Sequence, residues 1–509
     1  MLHFYAAKKS KGGIKLDYIA VFDIGTTSIK GVLIDQEANT MGACSVLLET
    51  YNGPNDEVEQ DPLDWWNGVK EISNTWWKEM GFDPKQVVMI TFSGQMEDVI
   101  SIPKDEGTPL NKAILYSDTR AHEEAAFINC KIPAIGEKTG NDIRASTPIA
   151  KLLWLEKNKP NLYKDTACFV FNAKDFIIYK MTHAFVTDPT TGATTGIMNL
   201  KKRQWEMDAV EALGIDTKKL PKLLNAEAIA GYLSACASAE TGFAKDTPIL
   251  CGAGDAGAST MGAGTVNQGD SYLYIGTTGW AAMIQEEVKT DHSFDGVFNL
   301  AHLPGETIIS ISPLLNVGNV HRWAVDTFAG EKAFDDFETL LSKSSIGSNG
   351  ILFLPYINGE RCPVNDPEAK GAFWGIGPKT EKSDFVRAVI EGICFSLKQL
   401  IELFVTDASG TITLIGGGTK SATWCQILAD CIGRTIRVPA ESEFMPAIGA
   451  SASGFVKLGW VIDYKDFAER FIRSTRSNVY LPNHDNHSTY NEIFERYLKL
   501  YPSFKNMYR

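Results

Sequence analysis

The sequence predicts an α/β protein made of two similar halves that face each other across a cleft. Strand-like apolar segments alternate with amphipathic helical segments, and hydrophobic residues make up 44% of the 509 residues. The segment FDIGTTSIKGVLI has a counterpart near residue 271, SYLYIGTTGWAAMI. Each places Gly-Thr-Thr in a turn between two apolar strands, and this recurrence indicates an internal duplication.

Local patterns predict the elements of the first half. YIAVFD is an apolar run typical of a strand over Tyr18–Asp23, and IKGVLID predicts the returning strand of a hairpin. The segment Pro62–Met80 predicts a helix whose paired tryptophans pack on a sheet, and VVMITFSG predicts a strand that ends at Gly94. Further αβ alternations continue to about residue 250.

The second half repeats this alternation. SDFVRAVIEGICFSLKQLIELF predicts a helix, TITLIGG a strand and SATWCQILADCIG another helix. The tail Tyr490–Tyr508 predicts a closing amphipathic helix, and His484 and His487 before it are expected in a solvated polar loop. No linker separates the halves, so the repeat alone divides the chain. We predict an N-terminal tail over 1–16, a first domain over 17–265 and a second domain over 266–509.

Composition and charge exclude several classes of partner. The net charge is −13, because 49 Lys+Arg oppose 62 Asp+Glu, and this argues against nucleic acid as a partner. No apolar run reaches the length of a membrane span. Nine cysteines occur singly, which favours reduced thiols in a cytoplasmic protein over disulfides. Because the protein as a whole is negatively charged, an anionic ligand would have to be bound by local groups, such as backbone N–H groups or a metal.

The first Gly-Thr-Thr turn is the strongest local signal for phosphate binding. Its backbone N–H and hydroxyl groups can donate to phosphate oxygens, and these groups belong to Gly25, Thr26, Thr27 and Ser28. Lys30 would add a positive charge, and Asp23 at the strand end would hold Mg²⁺ directly or through water. A plain surface hairpin is the alternative. The second turn, with Gly276 and Thr277, favours phosphate binding, since two facing loops can grip a polyphosphate.

Two further glycine-rich segments suggest binding or catalysis. Gly417, Gly418 and Thr419 follow a predicted strand, where either a ligand or helix packing requires close approach to the backbone. The segment GAGDAG matches the dinucleotide pattern G-x-G-x-x-G, but Asp255 would put a carboxylate against a pyrophosphate. Asp255 is better explained as a general base in the cleft, with a helix cap as the alternative.

Polar residues in two loops predict a pocket for an acceptor with neighbouring hydroxyl groups. FSGQMED presents Gln95, Met96, Glu97 and Asp98, and LYSDTRA presents Tyr116, Asp118 and Arg120. Amides and carboxylates suit vicinal hydroxyls, which both donate and accept hydrogen bonds. A loop salt bridge between Asp118 and Arg120 is the alternative.

Taken together, these strings resemble the FGGY family of carbohydrate kinases over nearly the whole chain, from about Tyr18 to Pro502. The motifs that carry the resemblance are DIGTTSIK, EQDPLDWW, SGQM, LYSDTRA, KLLWLEKNKPNLY, GAGDAGAS, YIGTTG, FLPYINGERCP, EAKGAFWG, RAVIEGICFS, IGGGTKSATWCQILAD and PAIGAS. The resemblance implies a two-domain α/β fold of the actin-like ATPase (ribonuclease H-like) type with an interdomain cleft. It also implies phosphorylation of a sugar or polyol hydroxyl by ATP with Mg²⁺.

The resemblance assigns roles by position. Asp23 corresponds to the metal-associated carboxylate and Asp255 to the catalytic base beneath the sugar. Groups that would contact ATP phosphates are Gly25, Thr26, Thr27, Ser28, Gly276 and Thr277, and those of the adenosine site are Gly417, Gly418 and Thr419. Residues that would bind the sugar hydroxyls are Gln95, Met96, Glu97 and Asp118.

Within the family, the EQDP, SGQM, KLLW and GERCP segments are most similar to xylulokinases, so we expect a ketopentose such as D-xylulose as substrate. Glu97 and Ala256 depart from the His and Asn usual there, and glutamate resembles glycerol kinases. TTGIMNL and HRWAVDTF resemble gluconate and autoinducer kinases, which leaves gluconate, glycerol or erythritol as alternatives. A non-catalytic nucleotide-dependent scaffold is a further alternative, and a dehydrogenase is a more distant one. Nothing in the sequence fixes the oligomeric state, and a homodimer is compatible with it.

Overall fold

A computed structural model describes residues 3–5, 17–54, 56–104, 108–288, 296–330, 334–404 and 410–508. Of the tail predicted over 1–16, only His3–Tyr5 is described, and it forms a strand.

The strands of the first half are β1 His3–Tyr5, β2 Tyr18–Ile24, β3 Ser28–Ile34, β4 Thr40–Leu47, β5 Tyr51–Asn52, β6 Val58–Gln60, β7 Val87–Gly94, β8 Ile100–Pro103, β9 Ala113–Ile114, β10 Thr166–Val170, β11 Val186–Thr187, β12 Met198–Asn199, β13 Gln204–Trp205, β14 Lys222–Leu223, β15 Ile229–Tyr232, β16 Pro248–Leu250 and β17 Ala253–Gly254. Those of the second half are β18 Ser271–Ile275, β19 Gly279–Gln285, β20 Phe298–Ala301, β21 Ile308–Leu314, β22 Leu352–Leu354, β23 Ala372–Trp374, β24 Ile412–Ile415, β25 Ile436–Pro439 and β26 Ser477–Tyr480.

The helices of the first half are α1 Pro62–Lys78, α2 His122–Lys131, α3 Ile135–Thr139, α4 Pro148–Asn158, α5 Pro160–Asp165, α6 Ala173–Thr182, α7 Pro189–Thr194, α8 Met207–Ala212, α9 Ala235–Thr241 and α10 Asp255–Gly262. Those of the second half are α11 Gly318–Phe328, α12 Phe334–Lys343, α13 Lys382–Phe404, α14 Ala422–Ile432, α15 Met445–Leu458, α16 Tyr464–Phe467, α17 His484–Tyr497 and α18 Leu500–Phe504. Among the helices in the described ranges, none is long and apolar enough to cross a membrane.

The two halves contain sheets of the same plan. In the first, the order is β1-β4-β3-β2-β7-β16-β15, with β17 also pairing with β7. In the second, it is β20-β21-β19-β18-β24-β25-β26. Each sheet has an antiparallel hairpin at its centre, β2–β3 or β18–β19, and then two parallel neighbours. The repeated topology confirms the α/β fold of two similar halves.

Helix α1 shows how the first sheet is covered. Asp61 caps its N-terminus by accepting the Leu63 N–H, and Pro62 occupies the first turn, where the lack of an N–H costs nothing. Trp65 and Trp76 are fully buried, and the Trp76 ring lies 5.3 Å from that of Phe22 on β2. The paired tryptophans therefore pack the helix on the sheet, as the sequence predicts.

Helices α10 and α15 lie between the two sheets. Their apolar residues share one buried cluster with residues of both sheets, including Val21 and Tyr272. The two helices cross at glycines, since a Cβ on Gly262 would overlap the carbonyl of Met445 and one on Gly449 would overlap that of Ala258. Although α15 belongs to the second half of the sequence, it packs on β2 and β7 of the first sheet.

The prediction for the C-terminal tail is wrong in detail. The closing helix begins at His484, where the Asn483 side chain caps it, and it ends at Tyr497 before the short helix α18. His487 consequently lies in a helix, with Nδ1 2.9 Å from the carbonyl oxygen of Asp430, and not in a solvated loop. The sequence interpretation overlooked an Asn as an N-cap.

Candidate active site

A cleft of about 1380 Å³ lies between the halves. Its walls include the two Gly-Thr-Thr turns, the residues that follow β7, the start of α10 and the glycines that follow β24. Pockets for one small molecule have volumes of about 300–1,000 Å³. The cleft is therefore large enough for two substrates at once.

The first turn, residues 25–28, joins β2 to β3 and is fixed from behind. Its backbone closes through the Gly25 N–H and the Ser28 carbonyl at 3.1 Å. Thr26 Oγ1 donates to Gln95 Oε1 at 2.7 Å, and Gln60 Nε2 donates to the Thr26 carbonyl at 2.7 Å. Gln95 in turn donates to Gln60 Oε1. These hydrogen bonds hold the turn in one conformation without using its remaining N–H groups.

Two charged side chains flank this turn. Asp23 on β2 and Lys30 on β3 are partners across the hairpin, and both line the cleft. Lys30 Nζ also donates to the Glu443 carbonyl of the other half at 3.3 Å. The first hairpin thus brings a carboxylate and an ammonium group to the same wall.

The second turn, residues 276–278, joins β18 to β19, and the strand residues that flank it are uncharged. The Gly276 N–H donates to the Thr278 carbonyl at 2.8 Å. Tyr274 and Trp280 are the cross-strand partners here, and their rings stack with centroids 3.9 Å apart and planes at 12°. Gly276 and Thr277, both predicted to contact phosphates, line the cleft.

The third glycine-rich segment, residues 416–419, borders the cleft, but the side chain of Thr419 points into the protein interior. Gly416 has φ 102°, and a Cβ on Gly417 would meet no atom within 4 Å, so a flat group can approach the backbone there. Gly418 also lines the cleft. The prediction that Thr419 contacts a nucleotide is not supported, because its hydroxyl donates to the Gly416 carbonyl and contacts Ser442 in the interior.

Asp255 is the first residue of α10, at the point where β17 ends beside β7. A Cβ on Gly254 would overlap Met96 Sδ, so the preceding glycine lets these two segments approach closely. Oδ1 of Asp255 accepts the N–H of Ala256 at 2.8 Å, while the side chain still lines the cleft. Burial, and then the charge of Asp23, raise the pKa of Asp255 to about 7.

The residues after β7 form one end of the cleft. Gln95, Met96 and Glu97 all line it, and Glu97 has a left-handed φ of 62°. Lys151 holds this backbone by donating to the Glu97 carbonyl at 2.8 Å. Burial raises the pKa of Glu97, whereas the charges of Arg361, Lys151 and Arg144 lower it. The Glu97 carboxylate is therefore close enough to these three cationic side chains for their charges to act on it.

Asp118 does not belong to this wall. It is fully buried, and its carboxylate forms a two-point ion pair with Arg120, with Nε at 2.9 Å from Oδ1 and Nη2 at 2.6 Å from Oδ2. Oδ2 also accepts the Val58 N–H at 2.7 Å. The prediction that Asp118 binds an acceptor hydroxyl is therefore wrong, and the salt-bridge alternative is what the structure contains.

Several residues of the cleft network escaped the sequence interpretation. Gln60 lies in EQDPLDWW and Arg361 in FLPYINGERCP, so both were inside motifs but had no assigned role. Tyr274 and Trp280 are aromatic residues in strands, which are typical of a core. A position-by-position comparison of the two hairpin sequences could have identified Tyr274 and Trp280.

The fold and the cleft define a class of protein: two sheets of actin-like ATPase topology, with a Gly-Thr-Thr turn from each lining the same cleft as Asp255. Models of the FGGY family of carbohydrate kinases match the chain over residues 18–262 for the N-terminal domain and 272–458 for the C-terminal domain. The chain belongs to this family, and it is an ATP-dependent sugar kinase.

Characterised relatives agree with this assignment. The chain is 30% identical to a xylulose kinase of Staphylococcus epidermidis, over 95% of this chain and 96% of that protein. The structure is similar to a ligand-bound xylulose kinase of Lactobacillus acidophilus, with a TM-score of 0.87, 28% identity and coverage of 97% and 99%. It is also similar to a gluconate kinase of the same organism, with a TM-score of 0.86, 28% identity and coverage of 96% and 98%.

Proposed function

We propose that the enzyme transfers the γ-phosphoryl group of ATP to a hydroxyl of a ketopentose such as D-xylulose, with Asp255 as general base. The observation that carries this proposal is that Asp255 lines the same cleft as the two Gly-Thr-Thr turns and that burial raises its pKa to about 7. A base is most effective when its pKa lies near the working pH.

The reaction is an in-line displacement. Asp255 accepts the proton of the substrate hydroxyl, whose oxygen forms a bond to the γ-phosphorus as the bond between that phosphorus and the β,γ-bridging oxygen breaks. The products are ADP and a sugar phosphate. Backbone N–H groups of both turns and Lys30 stabilise the charge on the transferring group, which is most of what phosphoryl transfer requires.

The residues on the cleft wall suit Mg²⁺ bound together with ATP. Asp23 offers the hard carboxylate oxygen that Mg²⁺ prefers, and near-octahedral Mg²⁺ completes its coordination with phosphate oxygens and water. Among the residues that the structure describes, no group of three or more His, Cys, Asp or Glu could hold a metal alone. When bound, the ion would neutralise negative charge on the phosphates.

The ketopentose proposal is supported by the xylulose kinase relatives and by the uncharged character of Gln95 and Met96 beside Glu97. A carboxylate accepts hydrogen bonds from two neighbouring hydroxyls. A neutral polyhydroxy substrate brings no second negative charge next to the Glu97 carboxylate.

A sugar acid such as gluconate is the second candidate. Arg361 lines the cleft, and its charge acts on Glu97, as does that of Arg144. A cation in this place can compensate for a substrate carboxylate. The gluconate kinase of Lactobacillus acidophilus, of nearly equal structural similarity, supports the same possibility.

A coupled ADP-release assay tests the proposal with xylulose, ribulose, gluconate, glycerol, erythritol and several hexoses. We expect the highest kcat/KM for a ketopentose, with low ATP hydrolysis in the absence of sugar as the baseline. Robust turnover of gluconate without any ketose activity would replace the first candidate by the second. Activity with glycerol alone would contradict both.

We further propose that the enzyme acts in the cytoplasm, where ATP is abundant, and the scattered single cysteines suit that compartment. A homodimer is one assembly compatible with the sequence. Light scattering after size-exclusion chromatography distinguishes it from a monomer of 55.9 kDa.

A further inference from the structure

The two hairpins place different side chains at equivalent positions. On the first hairpin, Asp23 pairs with Lys30 across the strands, two residues before the turn glycine. On the second, Tyr274 pairs with Trp280, again two residues before the turn glycine. Since both positions face the cleft, a phenol on one half is the counterpart of the metal-associated carboxylate proposed on the other.

The phenol oxygen of Tyr274 lies against the second turn. A Cβ added to Gly276 would be 2.7 Å from this oxygen, so glycine is needed for the ring to lie there. Within the described ranges, no residue hydrogen-bonds to the Tyr274 hydroxyl. The ring is fixed by stacking on Trp280 at 3.9 Å, while its O–H donor is available to a ligand in the cleft.

A chain of hydrogen bonds ties this ring pair to the helix of the proposed base. Trp280 Nε1 donates to Tyr272 Oη at 2.9 Å, and Tyr272 Oη lies 3.1 Å from Thr260 Oγ1 on α10. Thr260 uses its own hydrogen to donate to the Ala256 carbonyl at 2.6 Å, so the Tyr272 hydroxyl must be the donor to Thr260. The position of Tyr274 is therefore linked to the residue next to Asp255.

The electrostatic surroundings keep Tyr274 a donor. Burial raises its pKa, and the charges of Asp23 and Asp255 raise it further. A phenol that stays protonated among two carboxylates can offset their repulsion of an incoming phosphoryl group.

We propose that Tyr274 donates a hydrogen bond to an oxygen of the transferring phosphoryl group, and that Tyr272 and Trp280 position its ring. This inference rests on the proposed function, because it assumes that the second turn holds the terminal phosphate of ATP. Tyr274 would then be a catalytic residue of the second half, and Trp280 and Tyr272 would be positioning residues.

The test compares Tyr274→Phe, which keeps the stacked ring, with the wild type and with Tyr497→Phe. Tyr497 is a buried tyrosine outside the cleft, whose hydroxyl lies 2.8 Å from Ser396 Oγ. With Mg²⁺ present, calorimetry measures the Kd of ADP and of ADP with beryllium fluoride, a mimic of the γ-phosphoryl group. For Tyr274→Phe we expect an unchanged Kd for ADP and about tenfold weaker binding of the fluoride complex.

On whichever sugar the wild type phosphorylates, we expect kcat of Tyr274→Phe to fall about 10- to 100-fold with the sugar KM nearly unchanged. Trp280→Phe keeps a ring but loses the donor to Tyr272, and its kcat should fall about two- to fivefold. Tyr497→Phe should match the wild type in both Kd values, in kcat and in the sugar KM.

Failure of this inference differs from failure of the proposed function. A wild type that phosphorylates no sugar would refute the proposed function, while the fluoride complex would still test Tyr274. Wild-type binding and turnover in Tyr274→Phe would overturn the inference. So would a raised sugar KM with unchanged kcat, which would place the phenol on the sugar.

Discussion

The two hairpins share a backbone plan and differ in chemistry. The first carries Asp23 and Lys30, and the strand beside it, β7, leads to Gln95–Asp98. The second carries Tyr274 and Trp280, and the strand beside it, β24, leads to the open glycines after Ile415. The two halves thus repeat one backbone plan with different side chains: at equivalent positions the first hairpin carries a carboxylate and an ammonium group, and the second carries two stacked aromatic rings.

The largest effect should come from the carboxylate that both hairpins face. Asp255→Asn is nearly isosteric and keeps an oxygen for the Ala256 N–H, but it cannot accept a proton. We expect kcat to fall at least about 100-fold, with ATP affinity and sugar KM changed little. Steady-state kinetics measures both. The acid limb of the wild-type kcat/KM profile, expected near pH 7, should disappear in the variant.

The melting temperature is the control for this variant. Because the folded-state pKa of Asp255 is raised, ionisation costs stability as pH rises above about 4. The Asn variant should therefore melt no lower than the wild type at pH 8. Near-wild-type turnover would mean that Asp255 is only part of the helix N-terminus.

Removing the charge of the first hairpin should have the next largest effect. For Asp23→Asn we expect about a 10- to 100-fold loss of kcat and a greater requirement for Mg²⁺. Because the charge of Asp23 helps raise the pKa of Asp255, the acid limb of the pH profile should also move to lower pH.

The matched control is Asp35→Asn, which removes a carboxylate from the turn between β3 and β4. Asp35 binds backbone N–H groups of that turn and does not line the cleft, so kcat should stay unchanged. Equal effects of the two variants would mean that Asp23 acts only through net charge.

Alanine at the two turn glycines should separate the hairpins further. A Cβ on Gly25 would meet only the Ser28 carbonyl, at an ordinary 3.4 Å, whereas one on Gly276 would crowd the Tyr274 ring. We expect Gly276→Ala to change the near-ultraviolet circular dichroism of the stacked rings and to lower kcat about five- to tenfold. Gly25→Ala should leave this spectrum unchanged. Identical spectra for both variants would contradict the role of Gly276 in seating Tyr274.

The smallest effect concerns Asp98, at the end of the segment that follows β7. Within the described ranges, both carboxylate oxygens are buried without a hydrogen-bond partner, and burial raises the pKa well above its usual value. Stability from the protonated form is full below about pH 4 and is lost as pH rises through the folded-state pKa. Asp98→Asn should therefore gain about 1–3 °C in melting temperature over the wild type between pH 5 and 8.

Calorimetric scans of the wild type and of Asp98→Asn at each pH check this prediction. We expect the turnover of the variant to differ from that of the wild type by less than about threefold. A difference that stays constant with pH would mean that Asp98 is ionised throughout and paired with Lys151.

Much of the architecture could be predicted because local patterns were strong. Apolar runs predicted β2, β3 and β18, and the segment Pro62–Met80 predicted a helix that the structure begins at Pro62. The repeated turn predicted two halves of one plan. Motif order predicted which turns and which carboxylate line the cleft.

The errors concern where side chains point, which local patterns do not encode. Asp118 and Thr419 lie beside cleft residues in sequence, but pairing with Arg120 and with the Gly416 carbonyl turns them away. Tyr274 was overlooked for the opposite reason, since strand aromatics usually face a core. Its cleft-facing position follows only from the pairing of β18 with β19.

The crossing of α10 and α15 at Gly262 and Gly449 has a consequence for dividing the chain. Because α15, from the second half, covers β2 and β7 of the first sheet, a fragment cut near residue 265 would lose that cover and expose an apolar surface. Its complement would carry α15 without the surface on which it packs. The two fragments should therefore be insoluble when expressed separately and recover activity when co-expressed, as parts of one split enzyme.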